Sequence, residues 1–163
     1  MTKKKLTLFV DADACPVLIK EEIMAFQKAL SEAETIFVAS YAHMSTTFRE
    51  ATWVMVDSEK EEADLYIHRH AKKGDIAVTQ DYGLASLLLP KGVFVLSPRG
   101  KQYTEENIST LLHTRYLASK SRRAGKHTKG PRKFTGDDRV QFREALIKIL
   151  SNYEGDYFYL SKL

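Results

Sequence analysis

Cysteine is nearly absent: Cys15 stands alone in 163 residues, which excludes an internal disulfide framework and any Cys-based zinc cluster and fits a reducing cytosol. Long hydrophobic runs are missing too. No stretch approaches the ~20 apolar residues that span a bilayer. Lys3-Lys4-Lys5 looks like the start of a secretory leader, but only Leu6 to Val10 follows before Asp11. A cytoplasmic protein with no membrane partner is expected. The sequence shows no internal repeat, no HExxH pair and no break in composition that would mark a domain boundary. Residues 1–163 are therefore expected to form one domain, large enough to bury a core without disulfides or a structural metal.

Acidic residues are missing from one stretch. Between Tyr116 and Lys133 the chain carries Lys120, Arg122, Arg123, Lys126, Lys129, Arg132 and Lys133 and no Asp or Glu. The chain as a whole carries +4, so without these seven cations the remainder carries −3. A mildly acidic body with one basic segment, expected to be mobile over about 116–134, suits a polyanionic partner such as RNA or another nucleic acid. An ordinary solvated loop is the plainer alternative.

What the chain does have is an alternation of strand and helix patterns. Leu6 to Val10 is an apolar strand, and Pro16 suits the first turn of a helix on which Val17, Ile23, Phe26 and Leu30 keep roughly helical spacing. Thr35 to Ser40 and Thr52 to Val56 read as the second and third strands. Ser58-Glu59-Lys60-Glu61 has the pattern of a capping box and opens a helix to about Ala71, on which Asp64, Ile67, His68 and Ala71 share a face. Ile76 to Thr79 and Gly92 to Leu96 are the next strands, separated by a short apolar helix from Leu84 to Leu89. Thr104 caps a helix bearing Ile108, Leu111 and Leu112. A last helix at about 136–151 carries Phe142, Leu146, Ile149 and Leu150 as one stripe. The alternation predicts an α/β fold of three layers, αβα, around a mainly parallel sheet.

Carboxylates gather where such a fold binds ligands. Asp11 and Asp13 follow the first strand, Asp81 follows the fourth, and Asp64 lies on the helix leading into it. The C-terminal ends of parallel strands form the ligand crevice, so the four converge if these strands are neighbours. At ~5 Å and an effective dielectric of ~20, two carboxylates repel by roughly 3 kcal/mol, and a cation is needed to keep both ionised. Hard oxygen donors without cysteine favour Mg²⁺ or Mn²⁺ over zinc. Such ions activate water and stabilise an in-line phosphoryl displacement, which makes phosphodiester hydrolysis the natural chemistry. The bland alternative has Asp11 capping a helix and Asp13 merely solvated. Arg99, in Ser97-Pro98-Arg99-Gly100 at another strand end, is placed either to pair with a phosphate or to shape a turn.

Several stretches taken together carry a family resemblance: Val10-Asp11-Ala12-Asp13-Ala14-Cys15-Pro16, Ala63-Asp64, Gly74-Asp75-Ile76-Ala77-Val78-Thr79-Gln80-Asp81, Leu84-Ala85, Pro98-Arg99-Gly100, Gly130-Pro131 and Asp138-Arg139. Over nearly its full length the chain resembles the YaiI/YqxD-type family of bacterial proteins, whose fold is related to the PIN-like nucleases. The resemblance implies a metal-dependent ribonuclease with acidic residues after strand 1, on a central helix and after strand 4. By that pattern Asp11, Asp64 and Asp81 carry over as catalytic and metal-holding residues, with Asp13 as a fourth. The family pattern has Asn where Ser40 stands and Asp where Glu61 stands.

Two other function classes compete. Haloacid-dehalogenase phosphatases also open with a hydrophobic strand and Asp-x-Asp, yet they place a Gly-Asp-type pair after a later strand, whereas Gly74-Asp75 precedes its strand. A non-enzymatic RNA-binding protein would use the same basic segment. Cys15 at a helix start is either a thiolate or a small buried contact. His68 is either a general acid near Asp64 or a residue that packs or faces solvent, His70 points away from that face, and His43, His113 and His127 lack metal-ligand spacing. Trp53, Tyr157, Phe158 and Tyr159 either stack on bases or pack against the body.

Overall fold

The computed structural model describes residues 6–30, 32–41, 48–59, 61–125 and 132–151. Of the residues singled out above, Lys3, Lys4, Lys5, His43, Lys60, Lys126, His127, Lys129, Gly130, Pro131, Tyr157, Phe158 and Tyr159 lie outside them.

Six strands form one sheet: β1 (Leu6–Asp11), β2 (Ala33–Ser40), β3 (Thr52–Val56), β4 (Ile76–Val78), β5 (Phe94–Leu96) and β6 (Gln102–Tyr103). Their spatial order is β3-β2-β1-β4-β5-β6. The first five run parallel, and only β6 pairs antiparallel, with β5. The chain therefore winds outward from β1 in one direction and, after β3, restarts on the other side of β1. That reversal between β1 and β4 leaves a crevice beyond their C-terminal ends, because the connections on the two sides diverge there.

Both faces of the sheet are covered, which is why the strands read as continuous apolar runs. Side chains alternate along β1, so Leu8 and Val10 pack with Ile19, Ile23 and Phe26 of α1 (Val17–Ala29) and with Phe142, Leu146 and Leu150 of α5 (Gly136–Ser151). Phe9 points the other way. It joins Ile67 of α2 (Glu62–His70), Leu84 and Leu88 of α3 (Tyr82–Leu88) and Ile108 of α4 (Glu105–Arg123). No helix among the described residues is long and apolar enough to cross a membrane.

Several boundaries differ from the sequence expectation for physical reasons. Pro16 caps α1 instead of opening it, behind a 3-10 turn at Ala12–Ala14, and Val17 is 59% exposed, so the buried stripe starts at Ile19. Strand β2 begins at Ala33, where the Gln27 amide donates to the Ala33 carbonyl and its oxygen accepts from the Thr35 hydroxyl. The capping box expected at Ser58 is not formed. Helix α2 starts at Glu62 after an uncapped Glu61, which leaves Ser58 and Glu59 in the connection.

The basic segment is also corrected at its near end. A reciprocal Thr104/Asn107 capping box starts α4, and no Gly or Pro interrupts it before Gly125, so the helix continues through Arg123. Lys120, Arg122 and Arg123 are thus the last turn of a helix and not a loop. Strand β6 was too short to show an alternating pattern. It follows a turn in which the Ser97 hydroxyl accepts from the backbone N–H of Arg99 and Lys101. Gly100 closes that turn at φ +88°, and a side chain there would collide with the backbone of Gln141 and Phe142, so α5 rests directly on it.

Candidate active site at the ends of strands β1 and β4

Asp11, Asp13, Asp64 and Asp81 line one open cavity of about 540 Å³. Each arrives by a different local device. Asp11 is the last residue of β1, and its Oδ2 accepts a hydrogen bond from the Thr79 hydroxyl at 3.3 Å. The Thr79 oxygen in turn accepts from the backbone N–H of Asp81 at 3.0 Å, so one buried hydroxyl ties the two strand ends together. Gln80 adds a second tie, donating to the Ala14 carbonyl at 3.2 Å. Asp13, in the turn after β1, receives the backbone N–H of Ser40 at 3.2 Å from each oxygen, which fastens it to the end of β2. That contact uses the backbone of Ser40, so it is available whichever residue stands there.

Asp81 is the N-cap of α3 and accepts from the Leu84 N–H at 2.9 Å. Its Oδ1 also lies 3.8 Å from Nη1 of Arg115, on α4. Asp64 sits half-buried in the first turn of α2, facing Asp81. Crowding leaves an electrostatic signature. Burial, and then the charges of Asp81 and Asp11 with a hydrogen bond that protonated Asp64 donates to Asp81, push Asp64 up to about 7. Asp11 is pushed up to about 6, chiefly by burial, with Asp13 and Asp81 adding to it and the Thr79 hydrogen bond opposing.

The sequence reading missed Thr79, Arg115, Asp57, Glu59 and Tyr82, all of which line or brace the cavity. Thr79 was visible only as a strand terminus. Arg115 lies far along the chain, on a helix whose packing no local pattern reveals. His68 lines an adjoining groove of about 560 Å³ together with Asp64, Asp81 and Arg115. His70 is exposed and stacks on Tyr66, as its position off that face implies.

Arg99 is placed elsewhere. It pairs at 2.9 Å with the buried carboxylate of Asp138 and donates to the Arg132 carbonyl, with its guanidinium 5.7 Å from the Phe134 ring centre. Arg132 pairs with the same carboxylate. The hydrogen bond from Arg132 comes first, ahead of that from the Thr135 backbone and the charge of Arg99, in holding Asp138 well below the usual carboxylate range. Both arginines border a separate cavity of about 420 Å³ that shares Gln80 and Tyr82 with the acidic one. Lys133 contributes only its backbone carbonyl to this junction, at 3.5 Å from Arg99. Cys15 is buried, and burial pushes its thiol up to about 12, which removes the thiolate reading at neutral pH.

The donors lining the acidic cavity are carboxylate, hydroxyl and amide oxygens, the kind that Mg²⁺ and Mn²⁺ prefer. Among the described residues no group of three or more His, Cys, Asp or Glu side chains is already arranged to hold an ion. Asp11, Asp13 and Asp81 are each engaged by a neighbouring donor, so the donor set fits a hard cation in type and requires side-chain rotation to close on one.

These features define a doubly wound α/β protein with an acidic crevice at its switch point. The chain belongs to the family described as uncharacterised BCR, YaiI/YqxD, whose profile matches residues 9–152. It is 52% identical over 148 residues to a UPF0178 protein of Bacillus cytotoxicus, covering 91% of this chain and 95% of the relative. A UPF0178 protein of Bacillus velezensis is 51% identical over 156 residues, 95% of this chain and 91% of the relative. One from Listeria monocytogenes is 48% identical over 145 residues, 89% and 95% of the two chains. No solved structure matches the chain.

Proposed function

We propose that the protein hydrolyses phosphodiester bonds of RNA at the acidic crevice, using Mg²⁺ or Mn²⁺ held by Asp11, Asp64 and Asp81 with Asp13 alongside. The observation that carries this reading is the meeting of four aspartates in one cavity at the point where the strand order reverses. A bound ion of this kind supplies Lewis acidity and lowers the pKa of a coordinated water. The chain's own contribution is placement. Thr79 fixes the orientation of the Asp11 carboxylate and the path of the backbone into Asp81, and the Ser40 N–H holds Asp13 at the rim. The cationic last turn of α4, with Lys120, Arg122 and Arg123, offers a surface for a polyanion, and the resemblance to PIN-like nucleases points to RNA as that polyanion.

The phosphatase alternative needs a second acidic site after β4. Asp75 does not supply it, because it lies ahead of β4, where its buried carboxylate accepts from the backbone N–H of Lys72 and Thr7 and acts as a structural brace. The deciding experiment incubates a labelled single-stranded RNA and p-nitrophenyl phosphate, separately, with Mn²⁺ and either the natural chain or Asp81→Asn. Shortening of the RNA by the natural chain and its loss in the variant are expected. Turnover of the monoester alone moves the assignment to a phosphatase, and inactivity on both moves it to a binding protein.

A further inference from the structure

Six acidic side chains line the crevice among the described residues, Asp11, Asp13, Asp57, Glu59, Asp64 and Asp81, against a single cation, Arg115. The guanidinium has a loose hold. Its Nη1 is 3.8 Å from Asp81 Oδ1, too long for a hydrogen bond, and the side chain remains 51% exposed. That oxygen already accepts the Leu84 N–H at 2.9 Å. A long, half-exposed ion pair contributes little to stability. Arg115 also borders the adjoining groove with Asp64, Asp81 and His68, so it stands where the two cavities meet.

The arginines at the neighbouring cavity differ in this respect, since Arg132 forks onto both oxygens of buried Asp138 and Arg99 divides its guanidinium between Asp138 and the Arg132 carbonyl. Helix α4 continues from Arg115 toward the basic end: Ser119, Arg122 and Arg123 follow at i+4, i+7 and i+8 on the same side, and Arg123 reaches back to the Ser119 hydroxyl at 3.4 Å. At 1.5 Å per residue, Arg122 lies about 10.5 Å further along the helix.

Building on the function proposed above, we infer that Arg115 is the phosphate-binding residue of the crevice. It rests near Asp81, and its planar fork engages a phosphate oxygen of a polynucleotide that continues along α4 toward Arg122 and Arg123. Because Arg115 and a divalent cation compete for Asp81, loading the carboxylates releases the guanidinium to the substrate. The residue thereby couples metal binding to anion binding.

The test uses the full chain and two calorimetric titrations, one with Mn²⁺ alone and one with inorganic phosphate added to Mg²⁺-saturated protein, on the natural chain, Arg115→Gln and Arg115→Lys. Arg115→Gln is expected to bind Mn²⁺ several-fold more tightly, since Asp81 loses its competitor, and phosphate about tenfold more weakly, as loss of a charge-assisted hydrogen bond implies. Arg115→Lys keeps the charge without the fork and falls between the two. An unchanged phosphate affinity in Arg115→Gln makes Arg115 a mere counter-charge and overturns the inference while leaving the proposed function standing. Failure of the natural chain to bind Mn²⁺ overturns the function and the inference together.

Discussion

Replacing Asp11 by Asn removes one charge from the crevice while keeping an oxygen that accepts from Thr79. Burial is the main reason Asp11 is pushed from the ordinary 3.8 up to about 6. An acid that holds its proton more tightly in the folded chain than in the unfolded one favours folding fully below pH 3.8. That contribution is lost as the pH climbs through about 6. At 1.36 kcal/mol per pH unit, the interval corresponds to about 3 kcal/mol, an upper figure because the crevice is open to water. The metal-free natural chain should therefore lose stability between pH 4 and pH 7, and Asp11→Asn should lose less.

At about 2–4 °C per kcal/mol for a domain of this size, the variant melts about 6–12 °C higher at pH 7.5 when the full figure is expressed. Asp64, pushed up to about 7, leaves a residual dependence at higher pH, reduced in the variant because Asp11 no longer repels it. The assay is thermal unfolding in EDTA across pH 4–8, repeated with Mn²⁺. In Mn²⁺ the ranking should reverse, because the variant forfeits a ligand and with it the stabilisation that binding confers. Parallel melting profiles for the two proteins in EDTA would refute the placement of Asp11 in a crowded, desolvated carboxylate site.

Asp81→Asn keeps the N-cap of α3, so its metal-free fold should survive while the Mn²⁺-induced rise in melting temperature disappears; an undiminished rise would place the ion elsewhere. Gly100→Ala should cost about 2 kcal/mol or more in urea unfolding, because the new methyl meets the backbone of α5 at a positive φ, and a neutral result would contradict that close approach. Native Cys15 should react with a thiol reagent at pH 8 only as fast as the protein unfolds, given a thiol pushed up to about 12. For RNA binding, four phosphate contacts give a slope of log affinity against log salt near −3, and changing Arg122, Arg123, Lys126 and Lys129 to Ser should flatten it, whereas an unchanged slope makes the segment an ordinary solvated surface.

Strand and helix identity were legible because each element buries one face, and burial on both sides of a parallel sheet writes itself into Leu6 to Val10, Ile76 to Val78 and the Phe142, Leu146, Ile149, Leu150 stripe as plain hydrophobic pattern. The aspartates after β1 and β4 were legible for the same reason, since a polar residue ending an apolar run marks the strand's C-terminal edge. The sequence by itself thus determined the α/β class, the order of the helices and of the first five strands, and the family. It also nominated four carboxylates as one site.

What only the tertiary structure decided is everything that depends on a contact distant in sequence. Strand pairing set β1 beside β4 and so brought Asp11 and Asp81 to one cavity, and the Thr79 hydroxyl that links them is 68 residues from Asp11. Arg99 read locally as either a phosphate ligand or a turn residue, and buried Asp138, 39 residues on, engages it. Arg115 satisfied none and reached the crevice because α4 packs beside α3. Local patterns record which face of an element is buried; which partner covers that face, and which charges then meet, is settled by long-range packing alone.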